Sequence, residues 1–163
     1  MGTIKIREAT TEDFEAIWPI FDAVVSVGET YAYATDTTQE QAYHIWMELP
    51  RKTYVVEQNG EILATYYLKS NQAGPGDHVC NCGHMVSSDA RRQGLATTMC
   101  EHSMTIAKSL GYKAMQYNFV ASTNDGAVRL WEKLGFEIVG CVPKAFKHPQ
   151  EGYVDAYVMY QWL

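Results

Sequence analysis

Met85-Val86-Ser87-Ser88-Asp89-Ala90-Arg91-Arg92-Gln93-Gly94-Leu95-Ala96-Thr97 is the stretch on which the reading of this chain turns. It ends an extended run, crosses a short polar break and opens a long amphipathic segment. Leu95, Met99, Ser103, Ile106 and Leu110 recur on one helical face, and Gly111 stops it. The first N–H groups of such a helix have no partner inside it. With the helix dipole behind them they attract an anion. Gly94 and Ala96 are small enough to let a diphosphate approach the backbone. A plain helix start after a glycine turn fits this fragment equally well. The segment is neither a dinucleotide fingerprint, lacking GxGxxG, nor a nucleotide P-loop, lacking GK[ST].

Working outward, residues 3–7 alternate as a strand. Thr10-Thr11-Glu12-Asp13 then starts a helix carrying Phe14, Ile17, Ile20, Phe21 and Val24, with Pro19 expected to bend it. Thr37-Thr38-Gln39-Glu40 opens a second helix through Trp46 and Leu49, stopped by Pro50. Residues 53–57 and 62–69 form a hairpin around Gln58-Asn59-Gly60-Glu61, because Asn-Gly supplies the left-handed turn residues. After a loop at 71–77, residues 78–86 read as a strand. Downstream of the long helix come a strand at 113–120 and a helix at 124–134. Strands at 136–141 and 153–163 then flank a Pro/Lys/His-rich loop. The order β-α-α-β-β-β-α-β-α-β-β predicts one mixed α/β domain over residues 1–163, with helices on both sheet faces.

Bulk properties narrow the function. The 163 residues suit one domain with a real core. A net charge of −6 and a pI near 5.3 argue against a nucleic-acid partner. No apolar run approaches ~18 residues, so no membrane span is expected. The stretch MGTIKIREATTEDF lacks the pattern of a secretory signal, and the four cysteines are too sparse for a disulfide scaffold; both predict the cytoplasm. His78, Cys80, Cys82 and His84 share one strand face, but same-face neighbours stand about 6.5 to 7 Å apart, too far for a compact tetrahedral site. No metal is expected.

A second motif lies downstream: Asn124-x-x-Ala127-x-x-Leu130-Trp131-Glu132-Lys133-Leu134-Gly135-Phe136. Together with Arg91-x-x-Gly94-x-Ala96, in this order and spacing, it resembles the GNAT superfamily of N-acetyltransferases. The likeness covers nearly the whole chain. It implies a mainly antiparallel mixed sheet with a splayed strand pair that forms a cleft for acetyl-CoA. Arg91, Arg92, Gln93, Gly94, Leu95, Ala96 and Thr97 would hold the pyrophosphate. The strand end Met85, Val86 and Ser87 would pair with the pantetheine arm, and Asn124 and Lys133 would reach the coenzyme from the second motif. From the residues alone, Asn124 also suits a helix cap and Lys133 a solvated surface. The resemblance further implies direct attack of an amine on the thioester, an N–H near Met85 or Val86 as oxyanion donor, and an edge-paired homodimer as one assembly.

Two family features are missing. The position that often carries the thiolate-protonating Tyr holds Trp131, and the strand before the loop has no Glu. Polar residues inside apolar strands take their place as candidates, because a buried amide must be paired or line a polar cavity. Asn81, Asn118 and Asn124 are similar in type and spacing to the asparagines of the proline-analogue (azetidine-2-carboxylate) acetyltransferases. That likeness implies that Asn81 and Asn118 orient the substrate and that Asn124 assists at the reacting centre. Three amides satisfying backbone groups would look the same in sequence. Glu29 and Tyr31, in Gly28-Glu29-Thr30-Tyr31-Ala32-Tyr33, resemble the substrate segment of phosphinothricin-type amino-acid acetyltransferases. His84 is the imidazole placed to act as a base. A small amino acid or analogue is the expected amine; a protein N-terminus, a polyamine and a non-catalytic coenzyme-binding module are the alternatives.

Overall fold

Seven strands form one sheet in the order β1-β2-β3-β4-β5-β7-β6 in the computed structural model, which describes residues 2–163. The strands are β1 (Lys5–Glu8), β2 (Lys52–Gln58), β3 (Glu61–Ser70), β4 (Val79–Val86), β5 (Ala114–Ala121), β6 (Glu137–His148) and β7 (Gly152–Trp162). Only β4 and β5 run parallel; every other neighbouring pair is antiparallel. This is the mainly antiparallel mixed sheet that the family resemblance implies. The β2–β3 turn places Asn59 and Gly60 at φ 53° and 77°, the left-handed pair that their dipeptide predicts.

Helices cover both faces. On one side α1 (Phe14–Val25) and α2 (Gln39–Tyr43, continued by a π turn at His44–Glu48) bury Ile17, Phe21 and Trp46 against Val55, Tyr67 and Met85. Trp46 is fully buried, and its indole N–H donates to Thr65 Oγ1 at 3.0 Å, so the ring carries no unpaired donor into the core. On the other side α3 (Leu95–Ser109) and α4 (Asp125–Lys133) pack Met99, Cys100 and Trp131 onto Leu68, Cys80, Cys82, Met115 and Met159. The even-numbered residues of β4 therefore face α3, and Asn81, Gly83 and Met85 face α1, as strand alternation requires.

One element differs from the sequence reading. The Pro/Lys/His-rich segment is not a loop; β6 runs through it to His148. It is the sheet's edge strand, where Pro143 withholds no ladder bond that the sheet needs. The register against β7 slips between Val142 and Phe146, a bulge with Lys144 at φ 52° whose N–H donates to Asp155 Oδ1 at 3.0 Å. The turn shrinks to Pro149, Gln150 and Glu151, tied by two N–H bonds to His148 Nδ1. No helix among the described residues is long and apolar enough to cross a membrane.

Candidate active site

The two parallel strands separate soon after they meet. β4 and β5 pair only from Val79↔Ala114 to Asn81↔Gln116, although β4 continues to Val86 and β5 to Ala121. Asn81 sits at the fork. Its Nδ2 donates to the Gln116 carbonyl at 3.0 Å and its Oδ1 accepts from the Tyr67 hydroxyl at 2.9 Å. Both ends of a buried amide are thus satisfied where the ladder ends. On the far strand the β5–β7 register slips between Tyr117 and Val120, which turns Asn118 and Phe119 out of the ladder.

Past the fork, β4 presents one unpaired backbone edge. Tyr31 fills part of it: its hydroxyl donates to the His84 carbonyl at 2.7 Å and accepts from the His84 N–H at 2.9 Å. Both His84 groups therefore point away from β3, and alternation sends those of Val86 the same way. Met85 lies opposite Thr65, and the Ser87 N–H bonds to Leu63 on β3, so the strand-end donor facing the gap is that of Val86. Tyr31 is held by stacking on Tyr33 (centroids 5.5 Å apart), which stacks on Phe21 of α1 at 5.6 Å.

A short 3-10 turn, Ser88–Ala90, leads from β4 to α3. Arg92 and Gly94 take φ 66° and 74°, so the loop curls before the helix starts. No side chain caps α3, and a Cβ at Gly94 would meet nothing within 4 Å. Arg91, Arg92 and Gln93 are exposed around this opening, Ala96 and Thr97 are half-buried, and Leu95 is buried beneath. An uncapped helix end with open space before it leaves backbone N–H groups without partners in the helix, the geometry that suits an anion. By contrast, α4 is capped by Asn124, whose side chain accepts from the Ala127 N–H at 3.4 Å.

These features border one cleft of about 520 Å³. Arg91, Ala96 and Val86 line its loop end, Asn124, Ala127 and Trp131 its α4 wall, and Tyr31, Tyr33, Tyr67, Lys69, Asn81 and Asn118 the end at the fork. Of the other predicted positions, Arg92, Gln93, Gly94, Leu95 and Thr97 surround the helix opening without lining the cleft, and three lie further apart. Glu29 is exposed outside the lining, Lys133 is exposed in the last turn of α4, and Ser87 faces a separate surface hollow. Asn118 borders the cleft from an exposed position, donating to Asn71 Oδ1 at 2.7 Å and accepting from Gln116 at 3.0 Å. Lys69, Tyr33 and Tyr67 escaped the sequence reading; the signal for Lys69 was a charge alternating with Tyr67 inside an apolar strand.

The cleft is poor in acids and bases. Among the described residues, Lys69 and Arg91 are its only charged lining groups, and no carboxylate borders it. Burial holds the His84 imidazole down at about 3. The same desolvation pushes the Tyr31, Tyr33, Tyr67 and Tyr117 hydroxyls and the Cys82 thiol up. Trp131, 5.3 Å from His84 and 4.8 Å from Tyr117 between ring centroids, makes an aromatic wall and offers no acidic proton. No cluster of three His, Cys, Asp or Glu suited to a metal occurs among the described residues.

A forked parallel strand pair beside an uncapped, glycine-led helix defines the fold class of N-acetyltransferases. The sequence profile described as the Acetyltransferase (GNAT) family matches residues 6–136, and the chain belongs to that family. It is similar to the N-acetyltransferase aca1 of Schizosaccharomyces pombe, 34% identical over 111 residues, which cover 68% of this chain and 53% of aca1. The chain spans about half or less of the length of the curated relatives it matches. Among solved structures it superposes on a GCN5-related N-acetyltransferase from Kribbella flavida with TM-score 0.93 and 40% identity, covering 98% of both chains. The yncA protein of Salmonella typhimurium, solved with its cofactor acetyl-CoA, shares the fold at TM-score 0.85 and 20% identity, over 99% of this chain and 94% of that one.

Proposed function

We propose that this chain acetylates the amine of a small amino acid or amino-acid analogue, with acetyl-CoA as the acetyl donor. The observation that carries the reading is that one cleft runs from the open backbone edge at Val86 to Arg91 and Ala96 at the uncapped start of α3. The N–H groups of Leu95, Ala96 and Thr97, with Arg91 beside them, suit a diphosphate. Val86 suits the amide-bearing pantetheine arm, which would add to β4 as a missing strand does. The yncA complex with acetyl-CoA, on the same fold, supports that choice of ligand.

In the reaction the amine nitrogen bonds to the thioester carbon, the C–S bond breaks, the amine loses a proton and the thiolate gains one. The Val86 N–H, aimed into the gap, would stabilise the oxyanion. Asn124 would assist at the reacting centre, and Asn81 and Asn118 would position the amine substrate. Tyr31 would shape the pocket through its hold on His84. The absence of any lining carboxylate favours an amino acid over a polyamine, which would need acidic partners for its extra charges. The match to proline-analogue and phosphinothricin-type enzymes belongs to this same reading. So do a cytoplasmic site of action and a homodimer paired along the exposed edge of β6.

The test is release of free coenzyme A from acetyl-CoA with amino acids, proline analogues, methionine sulfoximine, polyamines and short peptides. Turnover confined to amino acids or their analogues supports the reading. Turnover with none of these amines would overturn it in favour of a coenzyme-binding module without catalysis.

A further inference from the structure

We infer that Lys69 is the group that selects substrates carrying an anion, by pairing with a carboxylate on the molecule whose amine is acetylated. The inference deepens the amino-acid reading above and rests on it. Lys69 is half-buried near the end of β3, opposite Asn81 in register, and Asn81 in turn opposes Gln116 at the last rung of the β4–β5 ladder. The lysine thus stands level with the fork, at the opposite end of the cleft from Arg91. Its Nζ lies 5.3 Å from the centroid of the Tyr67 ring, whose hydroxyl is already committed to Asn81. The ammonium therefore lies over an aromatic ring that borders the cleft.

Its charge is unanswered. Among the described residues Lys69 forms no salt bridge, whereas Lys52 and Arg7 each pair with carboxylates. None of the cleft's other lining side chains is acidic. Two cations at opposite ends of a cleft without acids match a reaction with two anionic partners. The diphosphate answers Arg91, and nothing within the chain answers Lys69. A substrate carboxylate would, and Asn118 and Asn81 stand beside it to direct the orientation. An amine without that anion would leave the lysine unpaired in a cleft that the substrate has partly dried. The fork lies three residues from His84 along β4, about 10 Å. The distance between amine and acid in the preferred substrate is thus part of the same question.

The experiment compares α-, β- and γ-amino acids, each beside its own carboxamide, in wild type, Lys69→Met and Lys69→Arg. Free coenzyme A release gives kcat/KM for both members of each pair. We expect the wild type to favour the acid, and Lys69→Met to lower that preference by about 10- to 100-fold, the range for one charge-assisted contact. The carboxamide rate should hold or rise, the KM for acetyl-CoA should stay within about twofold, and Lys69→Arg should recover part of the preference. An equal fall for acid and carboxamide in Lys69→Met would overturn the assignment, leaving Lys69 a packing role. So would a wild type that turns over the carboxamide as well as the acid, and in both cases amino-acid acetylation would stand. No turnover of any acid would remove the amino-acid reading itself, and this assignment with it.

Discussion

The hydroxyl of Tyr31 satisfies both the N–H and the carbonyl of His84, standing in for the strand that β5 ceases to provide. A residue on a loop after α1 thereby fixes the backbone edge along which the coenzyme is proposed to lie. Tyr31→Phe keeps the ring stacked on Tyr33 and removes only the hydroxyl. Two backbone groups then face the cleft without a protein partner, and the expected loss is about 1–3 kcal/mol in urea unfolding. Catalytic turnover should fall with it, because the edge next to Val86 loosens. An unchanged unfolding midpoint would show that water replaces the phenol without cost.

Gly83 lies directly across from Tyr67, and a Cβ there would stand 2.4 Å from the ring's Cε2. Gly83→Ala must displace the ring, which withdraws its hydroxyl from Asn81. We expect a loss of roughly 1–3 kcal/mol. The same change in a Tyr67→Leu background should cost distinctly less, since the clash is shared between the two sites. Additive losses in the double-mutant cycle would contradict this.

Gly94 and Gly111 both have positive φ and open space where a Cβ would go. Replacement by alanine strains each backbone by about 1 kcal/mol, seen as similar falls in thermal midpoint. Only at Gly94 does the new methyl enter the space assigned to the diphosphate. Gly94→Ala should therefore raise the KM for acetyl-CoA about tenfold or more, with Gly111→Ala unchanged. Equal values for the two would place the anion elsewhere.

With His84 held at about 3 by burial and no carboxylate lining the cleft among the described residues, the cleft wall offers no base that titrates between pH 6 and 8. The rate in kcat/KM should keep rising with pH toward the ammonium pKa of the substrate, without an inflection near 6.5. A bell or plateau governed by a group near 6.5 would contradict this.

The depressed His84 value also bears on stability. An unfolded histidine takes up its proton near 6.5, whereas the folded one resists until about 3. The contribution is present above pH 6.5 and is lost as pH falls toward 3. The ring keeps some surface at the cleft wall, so the loss from pH 7 to pH 5 is at most about 2 kcal/mol, read from unfolding at the two pH values. Stability that is flat across this range would mean that the imidazole is hydrated.

Much of this was legible from the chain alone, because the signals were local. Asn59-Gly60 fixed a hairpin, Gly111 a helix stop, and the Gly94 segment an open helix mouth. What escaped was non-local. Pro143 and the lysines and histidine around it resemble a loop; only the edge position of β6 makes them a bulged strand. Glu29, chosen for its charge near Tyr31, is exposed outside the cleft lining, while Lys69, far off in sequence, borders the cleft. The three asparagines do border one space. Yet Asn81 spends both ends of its amide on Tyr67 and Gln116, a commitment that no spacing pattern discloses.

That commitment has a kinetic side. An amide that braces two diverging strands from within keeps the slot in shape between turnovers, much as a keystone holds an arch without its load. Coenzyme capture then requires no slow refolding of the chain. It should follow a single bimolecular phase whose observed rate grows linearly with ligand concentration, instead of levelling off at the rate of some prior opening.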